Sequence, residues 1–230
     1  MNFDIRNFAV FEVAGAQVWL TETILVTWAI MLVLIAFAVV VRVKLKKFSE
    51  LPSGGFQNTI ETMIEMLDNF VRSMAGPRLQ FLGNWFFMVF AFVMVSNISG
   101  ALGVRPPTAD WSMTFALAFS TFVIIQIMGI KFQKGKYLKG FLTPSPVFLP
   151  FNIIGELARP VSLSFRLFGN VLSGLILLAM VYNVAPIWMR FVFPAALHGY
   201  FDVIIGILQT YIFCALSLAF IGGAAGIEQE

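Results

Sequence analysis

Three stretches of this chain, residues 23–41, 79–104 and 111–130, contain no charged residue at all. Each is bounded by charges: Glu22 and Arg42, Arg78 and Arg105, Asp110 and Lys131. A helix rises ~1.5 Å per residue, so about 20 residues cross a hydrocarbon core of about 30 Å. All three stretches are long enough to do so. Composition agrees. Of 230 residues, 59% are hydrophobic and only 12% charged, with 26 Phe that suit lipid contact. Soluble domains carry about 25% charged residues. With a mean hydropathy of +0.88, the chain has too little charge to cover its apolar surface in water. The class is an all-α integral membrane protein.

The formal net charge of +3 does not point to nucleic acid, because the basic residues gather in short loops beside apolar runs. The single cysteine, Cys214, lies within an apolar run, so no intrachain disulfide forms. The N-terminal sequence lacks a basic region leading into an apolar one, and no cleavable signal peptide is expected.

The pattern predicts one membrane domain over 1–230. It has an external N-terminal segment at 1–22, then five crossings at 23–41, 79–104, 111–130, 148–184 and 187–227. The last two are long. A continuous helix over 148–184 would measure ~55 Å, so it must tilt strongly, kink or project. Between the first two crossings, Ile60, Met63, Ile64, Leu67, Phe70, Val71 and Met74 recur at helical spacing, opposite Glu61, Glu65, Asp68 and Arg72. That is an amphipathic helix over 56–75, lying at the membrane surface or against a partner. Gly54, Gly55 and Gly76-Pro77 mark its ends.

Arg42, Lys44, Lys46 and Lys47 follow the first crossing, and Lys131, Lys134, Lys136 and Lys139 follow the third. Alternating crossings put both clusters on one side, which the positive-inside rule makes cytoplasmic. The N-terminus is then outside and the C-terminal IEQE inside. Trp19, Trp28, Trp85, Trp111 and Trp188 fall mostly near crossing ends, as interfacial anchors do, and Arg190 is read as another anchor. The small residues of 222–226 suit close helix packing.

The polar residues of the last two crossings form stripes. Arg159, Ser162, Arg166, Asn170 and Ser173 step by three or four along the fourth, which places them on one helical face. Glu156 precedes Arg159 by three and can reach it. On the fifth, His198, Asp202 and Gln209 step by four and seven. The stripes face each other, water or a partner, but not lipid. An Arg or Asp at a helix centre costs about 2.5–3.5 kcal/mol even on the translocon scale, and such residues usually mark an ion path. A structural reading is an Arg166–Asp202 pair that locks two helices. The number of polar groups favours ion translocation. A guanidinium does not give up its proton, so Arg166 is a fixed positive post that holds a nearby carboxylate in its ionised form. Glu156, Asp202 and His198 can gain and lose protons along access paths.

The run RPVSLSFRLFGN, residues 159–170, closely resembles the signature of subunit a of F-type ATP synthases. NWFFMVFAFVMVSNISGALG with Asn97, and ILQTYIFCALS in the last crossing, support the resemblance. It implies a membrane stator beside a ring of subunit c copies, the c-ring, with subunit b of the stator stalk and the other ATP synthase subunits as further partners. A rotor carboxylate takes up a proton, or a sodium ion, from one aqueous half-channel. It turns through lipid in neutral form and releases the ion into the second half-channel. The motif assigns the stator arginine to Arg166, with Asn170 and Gln209 as its polar neighbours. Many members have Glu or His nine residues after the arginine, where this chain has Leu175. Many have His or Glu seven residues before the glutamine, where it has Asp202. The half-channel then leans on Asp202, with His198 one turn before it. The implied location is a bacterial plasma membrane, with a thylakoid or other energy-transducing membrane as the second reading.

The chain has no Walker A run, HExxH or nucleophile elbow. No catalytic site, cofactor or metal is expected, and nucleotide chemistry belongs to partner subunits. A stand-alone transporter or channel with a buried Arg/Asp network would call for a substrate site and often an internal repeat, and neither is visible. An intramembrane enzyme would need a nucleophile to pair with the lone His198.

Overall fold

A computed structural model describes residues 7–13, 16–45, 55–184, 186 and 189–226. Two short antiparallel strands come first, β1 (Asn7–Val13) and β2 (Ala16–Thr21). Both strands lie in the N-terminal segment, for which the sequence pattern predicts no element. Its β-branched and aromatic residues (VFEV, QVWLT) suit a pleated pair, and this hairpin precedes an otherwise helical fold.

Glu22 begins α1 (Glu22–Leu45), which carries Arg42 and Lys44 in its last turn. Acid at the start and base at the end both favour the helix dipole. The amphipathic segment forms α2 (Gly55–Ala75), and a 3₁₀ turn at Pro77–Leu82 leads into α3 (Gly83–Ser99). Helix α4 (Trp111–Gln133) is N-capped by Asp110, whose carboxylate accepts from the Ser112 backbone N–H at 3.0 Å. Lys134, at φ 51°, breaks the helix and starts the short α5 (Gly135–Gly140). Then come α6 (Leu149–Val184) and α7 (Met189–His198), a π-helical stretch at Gly199–Ile205, and α8 (Gly206–Ala225).

Five helical segments among the described residues are long and apolar enough to cross a membrane: Glu22–Lys44, Pro77–Leu102, Trp111–Gln133, Pro146–Asn183 and Phe193–Ala225. The protein is an all-α integral membrane protein. Helix α6, at 36 residues, would measure ~54 Å if straight. The fifth segment differs from one regular helix, because the π-helical stretch interrupts it. Lys46, Lys47, Gly54, Ile187, Trp188 and the C-terminal IEQE lie outside the described residues, as does the side chain of Arg190.

Helix α4 packs against α6 and α8, while α3 and α2 pack on α8. Their shared core includes Phe86, Ile125, Leu167, Phe213 and Leu218, all at most 2% exposed. Helix α1 touches this body along one side through Thr23, Thr27 and Ile30, and most of its other side chains from Trp28 to Val40 are exposed and apolar, as lipid contact requires. Helix α2 does more than lie on a surface. Its Phe70 ring meets Tyr211 at 5.2 Å, and Val71 and Ala75 are buried in the core. Its Met63, Ile64 and Met66 stay exposed.

Small residues allow the closest approaches. A Cβ on Gly206 would come within 2.9 Å of Asn97 Cβ, and one on Gly222 would lie 3.4 Å from Ala75 Cα. Close backbone approach through glycine is how helices gain dispersion contacts where lipid supplies no hydrophobic driving force. At the ends of α4 and α8, Gln133 Nε2 donates to the Ala224 carbonyl at 3.0 Å, satisfying an orphan C-terminal acceptor. Gly206→Leu should force α3 and α8 apart at a cost of about 1–3 kcal/mol. The expected outcome is a lower unfolding midpoint for the detergent-purified protein, and an unchanged midpoint would show that the two helices do not meet there.

Candidate functional site

Helix α6 runs antiparallel to the α7–α8 segment, and three contacts give the register. The Arg159 guanidinium lies over the Phe220 ring, 5.1 Å from its centroid. Asn170 Nδ2 donates to Gln209 Oε1 at 2.5 Å. A Cβ on Gly174 would meet the Phe201 side chain at 3.1 Å. One end of this pair lies beside the Lys131–Lys139 loop, the other beside the loop between α3 and α4.

At the lysine-loop end, Glu156 and Arg159 form an ion pair at 2.9 Å, as their spacing predicts. Glu156 Oε2 also accepts from Gln126 Nε2 of α4 at 3.4 Å, and Gln126 Oε1 accepts from the Tyr137 hydroxyl of α5 at 3.0 Å. Glu156, Arg159 and Tyr137 line an open cavity of about 510 Å³, with Lys136 and Asn152 at its wall. Burial, and then the Glu156 charge, push the Tyr137 phenol above its usual range, so it keeps its proton and donates. Gly155, Arg159 and Phe220 are shared with a second hollow of about 230 Å³ that reaches Ser162 and Arg166.

At the opposite end, His198 Nδ1 and Asp202 Oδ2 are 2.5 Å apart. Asp202 lies in the π-helical stretch, a kind of insertion common at functional sites. It rests against Gly100, where an added Cβ would come within 2.9 Å of Asp202 Cγ. Beside it, Asn97 accepts from the Thr108 hydroxyl at 2.8 Å and donates to the Gly206 carbonyl at 3.1 Å.

Arg166 stands between the two clusters. Its side chain is exposed, and it makes no ion pair or hydrogen bond among the described residues. An Arg166–Asp202 lock is therefore absent, and the register explains why. The contacts above place Arg166 level with Phe213, eleven residues from Asp202 in sequence, or ~16 Å along a helix. Asp202 turns to α3 and His198 instead, because a π-helical stretch changes the angle between successive residues. His198, Asp202 and Gln209 do not share one face as their spacing suggests.

The remaining stripe residues divide. Gln209 is buried at 3% exposure, and its Nε2 has no hydrogen-bond partner among the described residues. Ser173 is exposed and turns its hydroxyl to the Asn170 carbonyl at 2.9 Å. Ser162 is exposed beside Arg166. Gln126 and Tyr137 are not among the site residues that the sequence pattern marks. A glutamine alone in the uncharged run 111–130 was the available signal for the first. No local pattern marked the second, since α5 folds back by way of an unusual backbone angle at Lys134.

A family model described as ATP synthase A chain matches residues 24–222. The chain is 34% identical over 218 residues to ATP synthase subunit a 2 of Acaryochloris marina, covering 92% of this chain and 88% of that one. It is 36% identical over 217 residues to ATP synthase subunit a 1 of Chlorobium luteolum, covering 92% of each. The same identity over 217 residues relates it to ATP synthase subunit a of Nitrosospira multiformis, with 92% and 82% covered. With an all-α membrane fold and a family match across nearly its whole length, the chain belongs to the ATP synthase subunit a family.

Proposed function

We propose that this chain is the ion-translocating stator of a rotary F-type ATP synthase, and that Arg166 handles the carboxylate of a rotating c-ring between two aqueous half-channels. The observation that carries this reading is Arg166 itself. It is an exposed, unpaired guanidinium within a membrane-spanning helix, with one titratable cluster toward each end. An arginine left facing lipid would be unfavourable, so a partner with the opposite charge is the fitting occupant of that face. The family supplies one in the ring carboxylate.

The steps follow from charge. A protonated ring carboxyl enters from lipid and comes close to Arg166. The guanidinium favours the ionised form, and the proton leaves through the half-channel on one side. The carboxylate, now paired with Arg166, moves on and is reprotonated from the other side, which frees it to re-enter lipid. Because arginine keeps its own proton, it passes no proton between the half-channels and so prevents a short circuit. Glu156 and Arg159, with the cavity beside them, line the path at the lysine-loop end. His198 and Asp202 line the other. Asn170 and Gln209 hold the two helices together beside the arginine, and Ser162 and Ser173 continue the polar face.

The chain forms a single membrane domain in a bacterial plasma membrane, with the N-terminus outside and the lysine loops in the cytoplasm. It has no catalytic site of its own and works with the c-ring, subunit b and the remaining subunits. One charge crossing 100 mV releases about 2.3 kcal/mol, so several ions must be coupled to each ATP formed.

Arg166→Lys should lower proton-driven ATP synthesis in reconstituted complex at least about tenfold, ~1.4 kcal/mol on the barrier, because a lysine lacks the planar, permanently charged fork. Near-normal coupled synthesis would remove Arg166 from this role. Asp202→Asn should slow driven turnover by a factor on the order of 10, measured as initial rate at matched assembly, whereas an unchanged rate would reduce Asp202 to packing. With protons as the coupling ion, driven ATP hydrolysis should not respond to a sodium titration. A sodium-dependent rate would replace the ion in this scheme.

A further inference from the structure

We infer that Tyr137 and Gln126 are positioning residues for Glu156: the Tyr137 hydroxyl orients the Gln126 amide, which in turn orients the Glu156 carboxyl group at the lysine-loop half-channel. This rests on the reading of Glu156 as part of that half-channel, and extends it to two residues on other elements.

The chain of contacts spans three helices. Tyr137 of α5 donates to Gln126 Oε1 at 3.0 Å, Gln126 of α4 donates to Glu156 Oε2 at 3.4 Å, and Glu156 of α6 takes Arg159 Nη2 on its other oxygen at 2.9 Å. The Tyr137 ring is itself held in place. A Cβ on Gly129 would lie 2.6 Å from Tyr137 Cε2, so only glycine leaves room for the ring against α4. On the ring's other side Phe141 meets it edge-on, with centroids 5.3 Å apart.

Chemistry gives these contacts a direction. An amide has one accepting and one donating end. With Tyr137 donating to the oxygen, the NH₂ of Gln126 faces Glu156, as an ionised carboxylate requires. The reverse orientation would set two acceptors against each other. If Glu156 takes a proton, its O–H can donate to Gln126 Oε1. The amide then turns its NH₂ toward Tyr137, whose phenol oxygen can accept. A phenol serves both arrangements because it both donates and accepts, whereas a phenyl ring serves neither. Among the described residues lining the cavity around Glu156, the other charged groups are Arg159 on its own helix and Lys136 of α5. Helix α4 brings the neutral Gln126 to Glu156 and Gln133 to the cavity wall, and among the described residues α8 lines the cavity with Phe220, Gly223 and Ala224.

The test uses the whole reconstituted complex in vesicles, with the amount of assembled subunit measured beside the rate. Tyr137→Phe keeps the ring on Gly129 and removes only the hydroxyl. It should lower proton-driven ATP synthesis about two- to tenfold at unchanged assembly, and move the pH on the lysine-loop side at which the rate is half-maximal. Gln126→Leu should do the same. The double variant Tyr137→Phe/Gln126→Leu should be no worse than Gln126→Leu alone, since the two act in series. Gly129→Ala, which displaces the ring, should reproduce the loss in part. Glu156→Gln is measured in parallel. If it impairs the rate while Tyr137→Phe leaves both rate and pH profile unchanged, the positioning role is overturned and the half-channel reading stands. If Glu156→Gln has no effect, the assigned part of Glu156 falls, and the role of Tyr137 with it.

Discussion

The contact between Asn170 and Gln209 sets where everything else in the site stands. It joins α6 to α8 by a hydrogen bond of 2.5 Å, with Gln209 almost fully buried. Inside a bilayer, polar side chains have no water to fall back on, so such a pair is one of the few directional forces available between two apolar cylinders. Once it forms, Arg159 falls level with Phe220 and Gly174 with Phe201. Glu156 is thereby held toward one end and Asp202 toward the other. The separation of the two titratable clusters follows from one register.

That register leaves Arg166 without a partner inside the described residues. The chain buries Ser164 of α6 and Gln209 of α8 but leaves Arg166 of α6 exposed. Open surface also surrounds the arginine. Gly155 and Gly169 have nothing within 4 Å of where a Cβ would be, so another helix could approach closely there. The proposed rotor, bearing a carboxylate, would match that charge and that open surface.

Helix α4 is the support on which this depends. It packs on both α6 and α8, and its buried face steps along the helix through Thr114, Ala118, Thr121, Ile125, Met128 and Gly129. It also carries Gln126 to Glu156. The helix that holds the two long segments together therefore also shapes the cavity at their lysine-loop end.

Much of the fold was legible in the sequence because a membrane imposes a one-dimensional rule. A helix must be apolar for about 20 residues to cross, and a charge at each end shows where it stops. Glu22, Arg42, Asp110 and Lys131 bound their crossings for that reason. The Glu156–Arg159 pair was legible too, because three residues apart on a helix means adjacent in space. So was Arg166 as an unusual charge, since its cost in lipid is a property of the residue alone. Tertiary structure decided the rest. Asp202 and Gln209 lie on one ideal helical face by count, but the π-helical stretch at Gly199–Ile205 separates them, with Asp202 packed against Gly100, just beyond the end of α3. Tyr137 reaches Gln126 only because Lys134 turns the backbone and Gly129 leaves room for the ring. The sequence by itself determined which charged residues lie within the apolar crossings. Only the packing of α3, α4 and α8 decided which of them meet, because contacts between helices depend on register and close approach, and no local period encodes either.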